Sequence, residues 1–215
     1  MAKSGQNLQE IQFRSAKPSD AKKAAGLLFE TFPKLAAYFF GLGDENRAKA
    51  ILEEIFPFKN HRFSCNQAQM VLQNDQIMGM MISYPGSELN KLNRRLAGVL
   101  IRQYKVSELP TLIHRGMSML FVNEAAFDEY LLSNLAVTLG DRGSGIGTYS
   151  LTHFEKKAVK NGFKKVSLMV DLENTDAQRF YERNGYHVTA KHLVAEKHQQ
   201  ALGPGYLRMV KELHS

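Results

Sequence analysis

Apolar and polar residues change period along this chain, from alternation to helical spacing and back. Residues 11–14 form a short strand-like run. Pro18-Ser19-Asp20 then reads as a helix start, because Ser and Asp side chains accept the first free amides of a helix. Residues 21–32 place Ala24, Leu27, Leu28 and Thr31 at helical spacing, and residues 45–55 do the same with Ala48, Ile51, Leu52 and Ile55. Residues 63–72 and 76–84 read as two strands joined at Asn74-Asp75, residue types that tolerate the positive φ of a tight hairpin.

The second half alternates strand and helix. Residues 87–129 contain helix-like pieces at 89–104 and 109–120 and no clear strand. Residues 130–137 are an apolar strand. A helix over 148–161 follows, with Leu151, Phe154 and Ala158 on its buried face and Gly162 at its cap. Residues 165–170 form the next strand. Thr175-Asp176-Ala177-Gln178 has the form of a capping box and opens a helix that ends at Gly185, and residues 186–190 and 206–210 read as closing strands. The order predicts an α+β fold with a mixed, twisted sheet flanked by helices, as a single domain over residues 1–215 with a long helical insertion at 87–129.

Composition narrows the classes. Hydrophobic residues make up 44% of the 215 and charged residues 23%, ordinary values for a chain with a real core. No apolar run approaches the roughly 18 residues of a membrane span, and residues 1–10 lack the apolar stretch of a secretory signal. Cys65 is the only cysteine, so no intrachain disulfide and no cysteine cluster can form, and a cytoplasmic location is expected. The net charge of +7 suits a solvated surface or attraction to a polyanionic cofactor better than nucleic acid, because the charges are scattered. No His or acid cluster has metal-ligand spacing, so no metal is expected.

The chemistry concentrates at Arg142-Gly143-Ser144-Gly145-Ile146-Gly147, a glycine-rich loop between a strand and a helix. Glycines let backbone approach an anion, and the first amides of a helix point unpaired N–H groups at it. A nucleoside-triphosphate loop needs a lysine after the last glycine, where this chain has Thr148. A dinucleotide fingerprint would use Gly143, Gly145 and the acid Asp171. It would also need the first glycine tight against the strand, whereas residues 138–142 intervene.

Arg142, Gly145 and Gly147 match the acetyl-CoA motif of the Gcn5-related N-acetyltransferases, and Asn174, Ala177, Tyr181 and Gly185-Tyr186 match a second motif of that family. Over residues 130–188 the chain resembles this superfamily. The resemblance implies transfer of an acetyl group from acetyl-CoA, as co-substrate, to a primary amine by direct attack on the thioester. It implies that Arg142, Gly143, Ser144, Gly145, Ile146, Gly147 and Thr148 hold the pyrophosphate. Leu135, Ala136 and Val137 would pair with the pantetheine arm, and the Leu135 N–H would meet the oxyanion. Asn174 and Ala177 would lie at the cofactor, and Tyr181 would protonate the departing thiolate. The amine must lose a proton, and Glu129 is the candidate base, with Asp128, Glu124, His114 and His153 behind it. A non-catalytic acyl-CoA-binding module is the alternative on the same fold. The acceptor is an unidentified small-molecule or protein amine, and a homodimer is compatible with the chain.

Overall fold

The structure is a computed structural model that describes residues 11–117 and 123–213. Its frame is a seven-stranded sheet of order β1-β2-β3-β4-β5-β7-β6. The strands are β1 (Ile11–Ser15), β2 (Ala68–Gln73), β3 (Gln76–Pro85), β4 (Tyr130–Val137), β5 (Lys165–Asp171), β6 (His187–Leu193) and β7 (Gly205–Glu212). Every neighbouring pair is antiparallel except β4 and β5. This is the expected α+β class. A dinucleotide fold, built from repeated parallel crossovers, does not match it.

The helices are α1 (Ala21–Thr31), α2 (Pro33–Phe39), α3 (Glu45–Ile55), α4 (Leu89–Leu100), α5 (Leu109–Met117), α6 (Ile146–Lys160), α7 (Thr175–Arg183) and α8 (Glu196–Leu202). They cover the two faces of the sheet with different partners. Met80, Ile82, Tyr84, Leu131 and Ala136 face a core shared with α1, α3, α4 and α5. Met81, Tyr130, Leu132, Val166 and Leu168 face the opposite way, against Leu151, Phe154 and Ala158 of α6. Insertion of helices between β3 and β4 therefore thickens the first layer: Leu92, Leu96, Leu100 and Leu112 are all buried there.

Several elements differ from their sequence expectation for local reasons. Residues 63–67 do not continue β2. Instead, the Ser64 hydroxyl donates to the His61 carbonyl and Asn66 Oδ1 accepts from the Asn60 N–H at 2.9 Å, so side chains turn the backbone there. The helix after the glycine loop begins at Ile146 rather than Thr148, because Gly145 adopts φ 91° and caps it. The helix predicted over 89–104 ends at Leu100, and Tyr104 turns inward to donate to the Phe40 carbonyl. The end of the helix-like piece expected over 109–120 lies outside the described residues, and Phe127, in the segment that leads into β4, is 81% exposed.

Two features of β4 set up the site. First, Ile82 pairs with Asn134 while Ser83 pairs with Leu132, so Ser133 is an extra residue, a β-bulge. Second, β4 pairs with β5 only at Tyr130, Leu131 and Leu132. Beyond that level β4 follows β3 to Val137 and β5 follows β7 to Asp171, so the two strands part.

The N-terminal corner is fixed by Asp20. Its carboxylate accepts from Arg14 Nη1 at 2.7 Å and Nη2 at 2.9 Å, and from the Lys17 N–H at 2.7 Å. The Arg14 hydrogen bond holds the Asp20 pKa below its ordinary value. A lowered folded pKa contributes stability that is present above the unfolded value, near 3.9, and is lost as pH falls through the folded one. Asp20→Ala should therefore cost about 1–3 kcal/mol at pH 7, and the gap to wild type in urea unfolding should shrink only below about pH 4.

Candidate active site

The slot between β4 and β5 is defined by backbone. The Thr138 N–H donates to the Met78 carbonyl on β3 at 2.8 Å. Strand residues alternate the direction of their amides, so Leu135 and Val137 point theirs away from β3, toward the slot. Ala136 turns its amide toward β3. Its side chain lies in the first core, whereas Leu135 packs against the second.

At the open end of β4 the chain turns through Leu139–Asp141 into the glycine loop. Gly143 has φ 82° and Gly145 φ 91°, values that a side chain would strain. The first helical bond runs from the Tyr149 N–H to the Gly145 carbonyl at 3.0 Å. The amides of Ile146, Gly147 and Thr148 therefore fall in the first turn, where a helix has no internal acceptors for them. The Ile146 side chain is buried with Ile11 and Val71, which pins this end of α6 to the sheet. The Ser144 hydroxyl donates to the Asp141 carbonyl at 2.6 Å, holding the loop from within. Arg142 is exposed and reaches Glu30 on α1 at 3.5 Å.

The helix α7 brings the second motif beside the first. A Cβ on Gly147 would lie 3.5 Å from Phe180 Cζ, so the start of α6 and α7 are in contact. Asn174 is the N-cap of α7, and its side chain accepts from the Ala177 N–H at 3.1 Å. Ala177 and Tyr181 pack on the same cluster as Leu135. The Tyr181 ring sits 5.1 Å from Phe180 and 5.7 Å from Tyr186, and burial pushes its phenol pKa up. It is therefore a protonated group at neutral pH, able to donate.

Glu129 lies at the closed end of the slot and is 5% exposed. Its carboxylate pairs with Arg208 of β7 and accepts from the Ala126 N–H at 2.8 Å. Sequence reasoning missed Arg208, although an arginine in the middle of an apolar strand was the available signal. Glu124 is likewise engaged, at 2.7 and 2.6 Å, by both terminal nitrogens of Arg62. Burial works against the Arg62 charge, but Glu124 more than offsets it and holds the guanidinium pKa above its ordinary range. His114 is exposed on α5. The His153 ring stacks on Phe13 at 3.7 Å, a packing role, with its pKa lowered by burial and then by Lys157 and Lys156. Asp128 is exposed, 3.8 Å from Lys165.

The acetyltransferase (GNAT) family profile matches residues 35–186, and the chain belongs to that family. Among solved structures, an N-acetyltransferase from Staphylococcus aureus Mu50 superposes with a TM-score of 0.72 at 21% identity, covering 93% of this chain and 99% of that one. A second acetyltransferase gives 0.68 at 19% identity over 94% and 100% of the two chains. Ard1 from Thermoplasma volcanium gives 0.55 at 14% identity over 96% and 99%. At these identities the likeness is one of fold. A comparison with curated proteins finds no match. Among the described residues no helix is long and apolar enough to cross a membrane.

The Glu129–Arg208 pair makes a clean stability prediction. Arg208→Met would leave Glu129 buried without its partner and should cost about 3–5 kcal/mol in chemical denaturation. A loss below about 1 kcal/mol would show that the pair behaves as a solvated one.

Proposed function

We propose that this enzyme transfers an acetyl group from acetyl-CoA to a primary amine by direct attack of the amine nitrogen on the thioester carbonyl. The observation that carries the reading is the parting of β4 and β5, with the Leu135 and Val137 amides turned into the slot that ends on the glycine loop. Pantetheine is an amide-rich arm that can pair with such an open strand edge, and a pyrophosphate suits the first turn of α6. Acetyl-CoA supplies the activated acyl group; this chain's residues hold it and handle charge and protons.

In this reading the backbone from Gly143 to Thr148 binds the pyrophosphate, and Arg142 adds positive charge nearby. Leu135, Ala136 and Val137 present the edge that aligns the arm. The Leu135 N–H donates to the carbonyl oxygen as negative charge builds there, a fixed dipole of the kind that lowers acyl-transfer barriers most. The C–N bond forms, the C–S bond breaks, and Tyr181 gives its proton to the leaving sulfur. Asn174 and Ala177 hold and seat the helix that carries Tyr181.

Glu129 is assigned to tying β7 against the start of β4. It precedes Leu135 by six positions, about 20 Å of extended strand at ~3.3 Å per residue, and its carboxylate is already shared. The amine proton then leaves through solvent. The buried, free Cys65 suits a reducing cytoplasm.

Two variants test the assignment. Tyr181→Phe should leave acetyl-CoA affinity intact in calorimetry and lower turnover about 100-fold. Unchanged turnover, with chemistry confirmed as rate-limiting, would remove Tyr181 from the proton-donor role. Gly145→Ala forces a side chain into a left-handed conformation at a cost of roughly 1–2 kcal/mol. It should weaken acetyl-CoA binding about tenfold, and undiminished binding would argue against the loop as the anchor. A panel of amine acceptors scored for acetyl transfer then identifies the acceptor class.

A further inference from the structure

The bulge at Ser133 decides which amides face the slot. Tyr130 and Leu132 turn toward α6. Uninterrupted alternation would send Asn134 and Ala136 the same way. The extra residue resets the count, so that Leu135 and Val137 face the α6 side and Ala136 the α1 side. Amide direction resets with it. A strand that lost the bulge would turn the Leu135 N–H back toward β3.

A bulge is a local disruption of the ladder and needs something to hold it. Here a chain of polar side chains does so from the α1 face. The Ser133 hydroxyl donates to Asn134 Oδ1 at 2.9 Å and accepts from Arg62 Nη2 at 3.4 Å. Asn134 Nδ2 donates to Thr31 Oγ1 at 2.8 Å, and Thr31 Oγ1 donates in turn to the Leu28 carbonyl at 2.8 Å inside α1. At the other end Arg62 is clamped by Glu124 and reaches Asn93 of α4 at 3.3 Å. Both residues of the bulge are thus pegged through their side chains to two helices and a partly buried ion pair.

We infer that Ser133, Asn134, Thr31 and Arg62 are positioning residues, which act on acetyl transfer by fixing the bulge and so the direction of the Leu135 N–H. The inference rests on the acetyl-transfer reading, in which that N–H meets the thioester oxygen. None of the four needs to touch the cofactor. Their effect falls on the polarisation of the carbonyl rather than on the strength of binding.

Isotope-edited infrared spectroscopy of acetyl-CoA carrying a 13C-labelled thioester carbonyl reads this without knowledge of the acceptor. Bound to the wild-type enzyme, the carbonyl stretch should move to lower frequency than in free acetyl-CoA, as an accepted hydrogen bond requires. In Ser133→Ala the shift should be largely lost while calorimetric affinity for acetyl-CoA is unchanged. Ser133→Thr, which keeps the hydroxyl, should restore it. Thr31→Val, which removes the peg at the far end, should reproduce the loss. The inference is overturned if Ser133→Ala keeps the full shift, if the wild-type enzyme shows none, or if shift, affinity and melting temperature fall together, the mark of a merely structural residue. Failure of the wild-type enzyme to bind acetyl-CoA at all would instead strike the acetyl-transfer reading itself.

Discussion

Backbone amides and carbonyls must be paired, and a sheet usually pairs them strand to strand. Between β4 and β5 that pairing stops after three residues on each strand. What remains is an open edge in the middle of the sheet rather than at its border. The rest of the molecule keeps the two branches apart and rigid. β3 holds β4 along its whole length and β7 holds β5. At the closed end the Glu129–Arg208 pair ties β7 to the start of β4. At the open end α2 meets α8 through the Tyr38–His198 contact, and the turn between β5 and α7 through the Lys34–Glu173 ion pair. The slot is thus a product of topology, and the loop that follows β4 delivers the first turn of α6 to its mouth.

Much of this was legible in the sequence where a long period or a special residue marked it. The helix α3 and the strand β4 fall where their apolar spacing put them. The Asn74-Asp75 hairpin adopts the positive φ values, 51° and 61°, that those residue types announced. The helices α2 and α8, seven residues each, were not legible. Two turns are too short to show a hydrophobic period, and α2 begins at Pro33, directly after the helical run expected over residues 21–32. The start of β2 was overestimated because buried Phe63 and Cys65 mimic a strand while side-chain hydrogen bonds turn the backbone.

The site divides along the same line. Loop, strand edge and the α7 motif are local in sequence, and the structure brings them together around Gly147, Phe180 and Leu135. Partners distant in the chain were invisible. Arg62 and Glu124 are 62 positions apart, and Glu129 and Arg208 are 79 apart. Both acids lay in view as candidate bases, and only the fold reveals the guanidinium each one holds. The bulge at Ser133 was equally hidden, because an apolar strand with one serine in it reads as uninterrupted. Buried polar groups of this kind are costly unless fully partnered, so their role in setting backbone geometry offers a physical reason for their presence.

Amide-resolved hydrogen exchange tests the central claim most directly, that the open edge of β4 is where acetyl-CoA binds. Without ligand, the Leu135 and Val137 amides should exchange much faster than Ala136, whose amide faces β3. Saturating acetyl-CoA should protect Leu135 and Val137, together with Ile146, Gly147 and Thr148 in the first turn of α6. Exchange at Leu135 and Val137 that is unchanged by bound acetyl-CoA, or already slow without it, would contradict the account.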